Sequence, residues 1–201
     1  MSHVDDTTAE PPGRSWRNIR QEVSAPAMSR KGRQRQVIHW LVDVVSKIGT
    51  FILNIPGKPD GTIDSKEERI LDDIGGWFRI NGEAIYGTRP WKIFGEGPDM
   101  IHAGSFQGKS IRELGPHDIR FTRNKAGSVL YAIALGWPAA EIAIRALGTA
   151  SPQHPGKVHD VRVLGTEEKI VWRQTAAALH IRPPRHRLEP DYTMALRIAL
   201  S

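Results

Sequence analysis

The stretch LVDVVSKIGTFILNIPGKPDGTID, residues 41–64, decides how this chain is read. Leading into it, Val37, Ile38, Trp40, Leu41, Val44, Val45 and Ile48 recur at helical spacing and predict a helix of about three turns with one apolar face. Gly49 stands where such a helix stops. Residues 51–55 then form a short apolar run, the pattern of a strand buried on both faces of a parallel sheet. A strand that delivers Asn54 into a loop of Pro56, Gly57, Pro59 and Gly61 is how an α/β barrel builds the rim of its active site.

Working outward, Ser65-Lys-Glu-Glu68 reads as a capping box that satisfies the first free amides of a second helix. Ile70, Leu71, Ile74, Trp77 and Phe78 form its apolar stripe, and Asn81-Gly82 closes it with a pair that tolerates positive φ. Upstream, residues 1–35 carry few large apolar side chains and are interrupted by Pro11, Pro12, Gly13, Pro26 and Gly32, so a poorly ordered leader is expected. Residues 86–108 are rich in glycine and proline yet hold Trp91, Ile93 and Phe94, which makes them a packed connector. Beyond Ser110 the helical period gives way to strands at residues 119–123, 129–135, 141–147, 158–164, 170–174, 179–182 and 192–200. The last alternates most cleanly, with Tyr192, Met194, Leu196, Ile198 and Leu200 on one face. This succession predicts an antiparallel β-sandwich.

Composition narrows the function. In 201 residues there is no cysteine, which removes disulfides, a thiolate nucleophile and cysteine-held metal centres. The histidines show no close metal-ligand spacing, and no cofactor is expected. The longest apolar stretch is broken by Asp43, Ser46, Lys47 and Gly49, so no membrane span is expected. The N-terminus has no apolar segment of the secretory kind. A net charge of +6 and the run Arg30, Lys31, Arg33 and Arg35 raise the question of nucleic acid. That run has no interleaved aromatics, so it reads as solvated and no nucleic-acid partner is expected.

The ordered motifs LVDVVSKIGTFILNIPGKPDGTID, WFRINGEAIYGTRPWKIFGEGP, IRFTRNKAGSVLYAIALGWP and VLGTEEKIVWRQTAAALHIRPP resemble the C-terminal part of the α-L-fucosidases of glycoside hydrolase family 29. The resemblance covers about residues 36–201. It implies an α+β chain: a terminal helix-strand-helix piece of a (β/α)8-like barrel over residues 36–95, then a β-sandwich over 96–201. It also implies a retaining hydrolase of α-L-fucosides, with fucosylated glycans as partners of the completed barrel. The family's nucleophile and acid/base lie upstream of the LVDVVSK-like helix. Here that interval offers only Asp5, Asp6, Glu10 and Glu22, none in a family motif, and Trp16 in SWRNIR is assigned no role. No catalytic residue is therefore expected in this chain, which should be inactive alone.

Two substrate-binding residues carry over from the resemblance. Phe51 matches an aromatic that faces the sugar's apolar side, and Asn54 matches the asparagine of the family's last strand. Their structural alternatives are a core phenylalanine and a turn-capping amide. Asp60-Gly61 followed by Glu67 does not make a calcium loop, because Pro56 and Lys58 occupy ligand positions. Asp72, Asp73 and Glu83 are set aside as a glycosidase pair, since they belong to a helix flank and its far end. Trp77, Trp91, Trp137 and Trp172 are expected to anchor the two units rather than stack on sugars. The alternative function is a non-catalytic sandwich module that binds carbohydrate or a partner. Without parallel neighbours the first unit would leave apolar surface, which a partner or a homo-oligomer would cover.

Overall fold

The computed structural model describes residues 14–18, 30–99 and 114–201. Strand β1 (Arg14–Asn18) is followed by helix α1 (Arg30–Ser46), β2 (Thr50–Asn54) and helix α2 (Ser65–Asn81). A 3-10 turn (Gly82–Ala84) leads to β3 (Arg89–Glu96), β4 (Ile119–Arg123), β5 (Val129–Ala134) and β6 (Ile142–Ile144). A second 3-10 turn (Arg145–Leu147) precedes β7 (Val158–Val163), β8 (Trp172–Gln174), β9 (Leu179–Ile181) and β10 (Met194–Leu200). The chain is α+β, a barrel-end unit followed by an antiparallel sandwich.

The sandwich pairs a five-stranded sheet, ordered β3-β4-β5-β10-β7, with a three-stranded sheet, β6-β9-β8. Every pairing within these sheets is antiparallel. Strand β5 is buried throughout, yet its side chains divide by the two-residue period of a strand. Leu130, Ala132 and Ala134 join Phe121, Ile144, Leu179, Leu196 and Ile198 in the core between the sheets. Val129, Tyr131 and Ile133 join Val37, Ile38, Val42, Ile70, Ile74 and Trp77 in a second core beneath the helices. The apolar helix faces that lack a full barrel are thus covered by the outer face of the sandwich sheet.

Several expectations are corrected. The leader expected over residues 1–35 is interrupted by β1, which pairs in parallel with β2, and α1 begins at Arg30 rather than near residue 37. The basic run therefore lies in the opening turns of α1, and Arg35 reaches Asp191 at 3.7 Å. Strand β2 is not buried on both faces: its residues are half-buried or exposed, because β1 is its one pairing partner among the described residues. The connector holds β3, which pairs with β4, so a boundary at residue 95 would cut a strand of the sandwich sheet.

The helix ends also differ. Ile48, not Gly49, takes the left-handed conformation (φ 65°), while the Gly49 amide donates to Val44 O at 2.8 Å. Helix α2 is capped by Asp64, whose carboxylate accepts from the Lys66 amide at 2.8 Å, one residue before the expected Ser65. Gly82 is right-handed at φ −59° and passes the chain into the 3-10 turn. Its lack of a side chain matters for space, since a Cβ would meet the Tyr86 ring at 3.0 Å.

Candidate functional site

Strands β1 and β2 run in the same direction and end together. Trp16 stands in register with Ile52, and Asn18 with Asn54, at the carboxyl ends where parallel strands place their chemistry. Asn54 is exposed there. Phe51 packs with Leu53 against the core beneath the helices, and strand alternation turns Asn54 to the other face. The two residues lie on opposite faces of β2: Asn54 is exposed at its end, and Phe51 is half-buried against the core beneath the helices. Register with Asn18 was missed because the prolines and glycines around SWRN mask a five-residue strand.

The loop after β2 folds back on itself. Gly57 bridges Ile63, the Lys58 amide donates to Thr62 O at 2.8 Å, and Gly61 takes φ 82°, which glycine accepts without strain. Asp60 Oδ1 accepts from the Thr62 hydroxyl at 2.7 Å and the Thr62 amide at 3.0 Å. These bonds hold the Asp60 carboxyl below its ordinary range. The Lys66 amide does the same for Asp64. Both loop carboxylates are ionised and committed to the turn and the helix cap. The described rim can accept and donate hydrogen bonds to hydroxyls, but it holds no carboxylic acid poised to protonate a leaving group.

Helix α1 ties this rim to the sandwich. Asp43 Oδ1 accepts from Arg120 Nε of β4 at 2.6 Å, and Oδ2 accepts from Lys47 Nζ at 2.7 Å. The Arg120 side chain is fully buried. Phe94 of β3 offers its ring to both cations, with Lys47 Nζ 4.6 Å and the Arg120 guanidinium 5.7 Å from the centroid. Gly95 makes room for this arrangement, because a Cβ there would lie 2.3 Å from Ile119 O and 2.9 Å from the Arg120 stem. One turn earlier, buried His39 Nε2 meets Tyr192 O at 2.8 Å. Burial, with Arg35 and Arg120 nearby, pushes its pKa down to about 4, so the ring is neutral at pH 7 and its Nε2–H donates to the carbonyl. Trp77 of α2 is wholly buried and donates its indole N–H to Thr193 Oγ1 at 2.9 Å.

The other sequence candidates have structural duties. Asp73 accepts from Gln34 Nε2, joining the two helices. Glu83 Oε1 accepts from the Tyr131 hydroxyl at 2.8 Å and Arg197 Nε at 3.1 Å. Trp91 meets Phe121 edge to face at 5.0 Å, and Trp137 and Trp172 pack against the sandwich core. A cleft of ≈ 980 Å³ opens between β3 and the second 3-10 turn, sharing no residue with the rim. Its Glu96 carboxylate is occupied by the Arg145 and Ala146 amides at 2.8 and 2.7 Å.

Comparison with known proteins matches residues 7–83 to the family described as alpha-L-fucosidase, and residues 113–199 to the alpha-L-fucosidase C-terminal domain. The chain is similar to tissue alpha-L-fucosidase of Mus musculus, 29% identical over 147 residues that make up 73% of this chain and 27% of the mouse protein. It is 28% identical to plasma alpha-L-fucosidase of Homo sapiens over 68% of this chain and 25% of that one. It therefore spans about a quarter of the length of these relatives. Among solved structures, the alpha-fucosidase of Thermotoga maritima, bound to a mechanism-based inhibitor, superposes with a TM-score of 0.65 at 30% identity, over 92% of this chain and 39% of that one. An alpha-L-fucosidase of Bacteroides thetaiotaomicron has the same fold at a TM-score of 0.60 and 18% identity, over 82% of this chain and 32% of that one.

Proposed function

We propose, from the premise that this chain belongs to the α-L-fucosidase family, that it supplies the last wall of a fucoside-binding barrel together with the sandwich that braces it. The carrying observation is the parallel pair β1–β2, which brings Asn18 and Asn54 to one rim in register. In the intact enzyme the reaction is retaining hydrolysis of α-L-fucosides from fucosylated glycans, which uses two carboxyl groups about 5 Å apart. The described rim contributes no such pair: Asp60 and Asp64 are held by Thr62 and Lys66. Asn54 is assigned to hydrogen bonding with a substrate hydroxyl, and Phe51 to fixing the strand beneath it. Neither a nucleic acid nor a membrane enters this reading. Self-association is one way to cover the open edges of the β1–β2 pair.

The test joins this chain in frame to the preceding catalytic segment of the Thermotoga maritima enzyme. Hydrolysis of an aryl α-L-fucoside is expected from the joined protein and not from the chain alone. In the joined protein, Asn54→Ala lowers kcat/KM by about tenfold, the worth of one hydrogen bond. Nitrophenol release by the chain alone, or a joined protein that ignores fucosides, overturns the proposal. A second reading, a sandwich that binds carbohydrate without catalysis, is favoured by one observation: the buried residues of the core between the sheets all follow residue 118, with Trp91 and Ile93 of β3 packing at its margin.

A further inference from the structure

We propose that the outer edge of the three-stranded sheet carries a binding groove for a sulfated glycan. This rests on the reading above that glycans are the substrate class, and it adds a second contact site outside the barrel rim. The groove, ≈ 550 Å³, lies where the loop before β8 meets the loop after β9. Lys169, Arg182, Arg185 and His186 line it, and all four are exposed. The side chains of Lys169 and Arg182 have no ion pair or side-chain hydrogen bond among the described residues, and that of Arg185 acts on Glu168 only through its charge; Arg162, Arg173 and Arg197 are each paired directly with acids.

The backbone places these cations on purpose-built turns. The Arg182 amide donates to Val171 O at 3.0 Å, and the Arg185 amide donates to Glu168 Oε1 at 2.9 Å. Glu168 is itself set by a turn in which its amide donates to Thr166 Oγ1 at 3.0 Å. The groove's one carboxylate is thus bound to the loop that presents the cations, and it lies 3.8 Å from His186 Nδ1. Between the charges runs an aliphatic strip of Ile170, Val171 and Pro183, with Val171 66% exposed. Exposed cations in excess of the groove's one carboxylate, flanking an aliphatic strip, suit a pyranose chain bearing sulfates, whose C–H faces meet the strip while its anions meet the cations. The groove is lined by no tryptophan, tyrosine or phenylalanine, its one ring being the His186 imidazole, which disfavours a single-stranded nucleic acid.

The test measures binding of the full chain to a sulfated fucose polysaccharide, its chemically desulfated counterpart and a single-stranded DNA of equal charge, in 0.1 M salt. Sulfate-dependent binding is expected. The triple variant K169S/R182S/R185S loses about tenfold in affinity, the sum of three exposed charge contacts. It should fold, because Arg182 and Arg185 make their structural bonds through the backbone; its circular dichroism and melting temperature check this. Arg145→Ser, an exposed arginine lining the separate cleft beside β3, leaves binding unchanged. Equal binding of the desulfated polymer, equal competition by the DNA, or an unaltered folded triple variant overturns the proposal. None of these outcomes bears on fucoside hydrolysis by the joined protein, so the two readings fail separately.

Discussion

Replacing His39 by glutamine should remove a pH dependence of stability that the buried ring imposes on the contact between α1 and the sandwich. His39 is 5% exposed, and its Nε2–H donates to Tyr192 O at 2.8 Å. Protonation would bury a second charge beside Arg35 and Arg120, which is why burial first and these cations next lower its pKa from 6.5 to about 4. The folded-state pKa lies below the unfolded value, so the unfolded chain takes up the proton first as pH falls. The full contribution of the neutral ring is therefore present above pH 6.5 and is lost progressively down to pH 4. A shift of this size corresponds to about 3 kcal/mol. Glutamine keeps a donor for Tyr192 O and does not titrate. Urea unfolding at pH 7.5, 6, 5 and 4, followed by tryptophan fluorescence, measures the difference between the two proteins. The wild-type curve should fall relative to His39→Gln by about 3 kcal/mol across that window. Parallel profiles would refute the reasoning, since every other titrating group is common to both.

Two further perturbations probe the same unit. Asp43→Ala leaves the fully buried Arg120 without its carboxylate and should cost about 3 to 5 kcal/mol, read as a lower urea midpoint; a loss below 1 kcal/mol would show that Arg120 is solvated instead. Ile48→Gly relieves a left-handed β-branched residue whose side chain is 76% exposed. It should stabilise the chain by about 0.5 to 1 kcal/mol after the added flexibility of the unfolded glycine is counted, visible as a raised melting temperature.

The strands of the sandwich were legible because each carries its own period and its own turn residues. Residues 119–123 announce β4 by alternation of Ile119 and Phe121 with polar neighbours, and 129–135 announce β5 by a continuous apolar run. Strand β3 was not legible, because Pro90 and Gly95 read as connector residues; pairing with β4 through an irregular register accommodates both. The end of β2 at Asn54 was legible from the apolar run that carries it. Its neighbour in β1 was not, since five residues between turn-forming segments have no periodicity to detect until a second strand lies alongside. The left-handed residue after α1 is Ile48, one position before the expected Gly49, because hydrogen bonds to Val44 O and Val45 O, not glycine preference, close the last turn.

By itself the sequence determined both helices and most strands of the sandwich, because those carry their pattern in side-chain spacing along the chain. It also determined the order of motifs that marks the family. Only the tertiary structure decided what covers each face. The second core under α1 and α2, the buried Asp43–Arg120 pair between units, and the parallel pairing of β1 with β2 all arise from contacts between distant residues. Such contacts depend on how sheets and helices stack in space, and no local pattern encodes that.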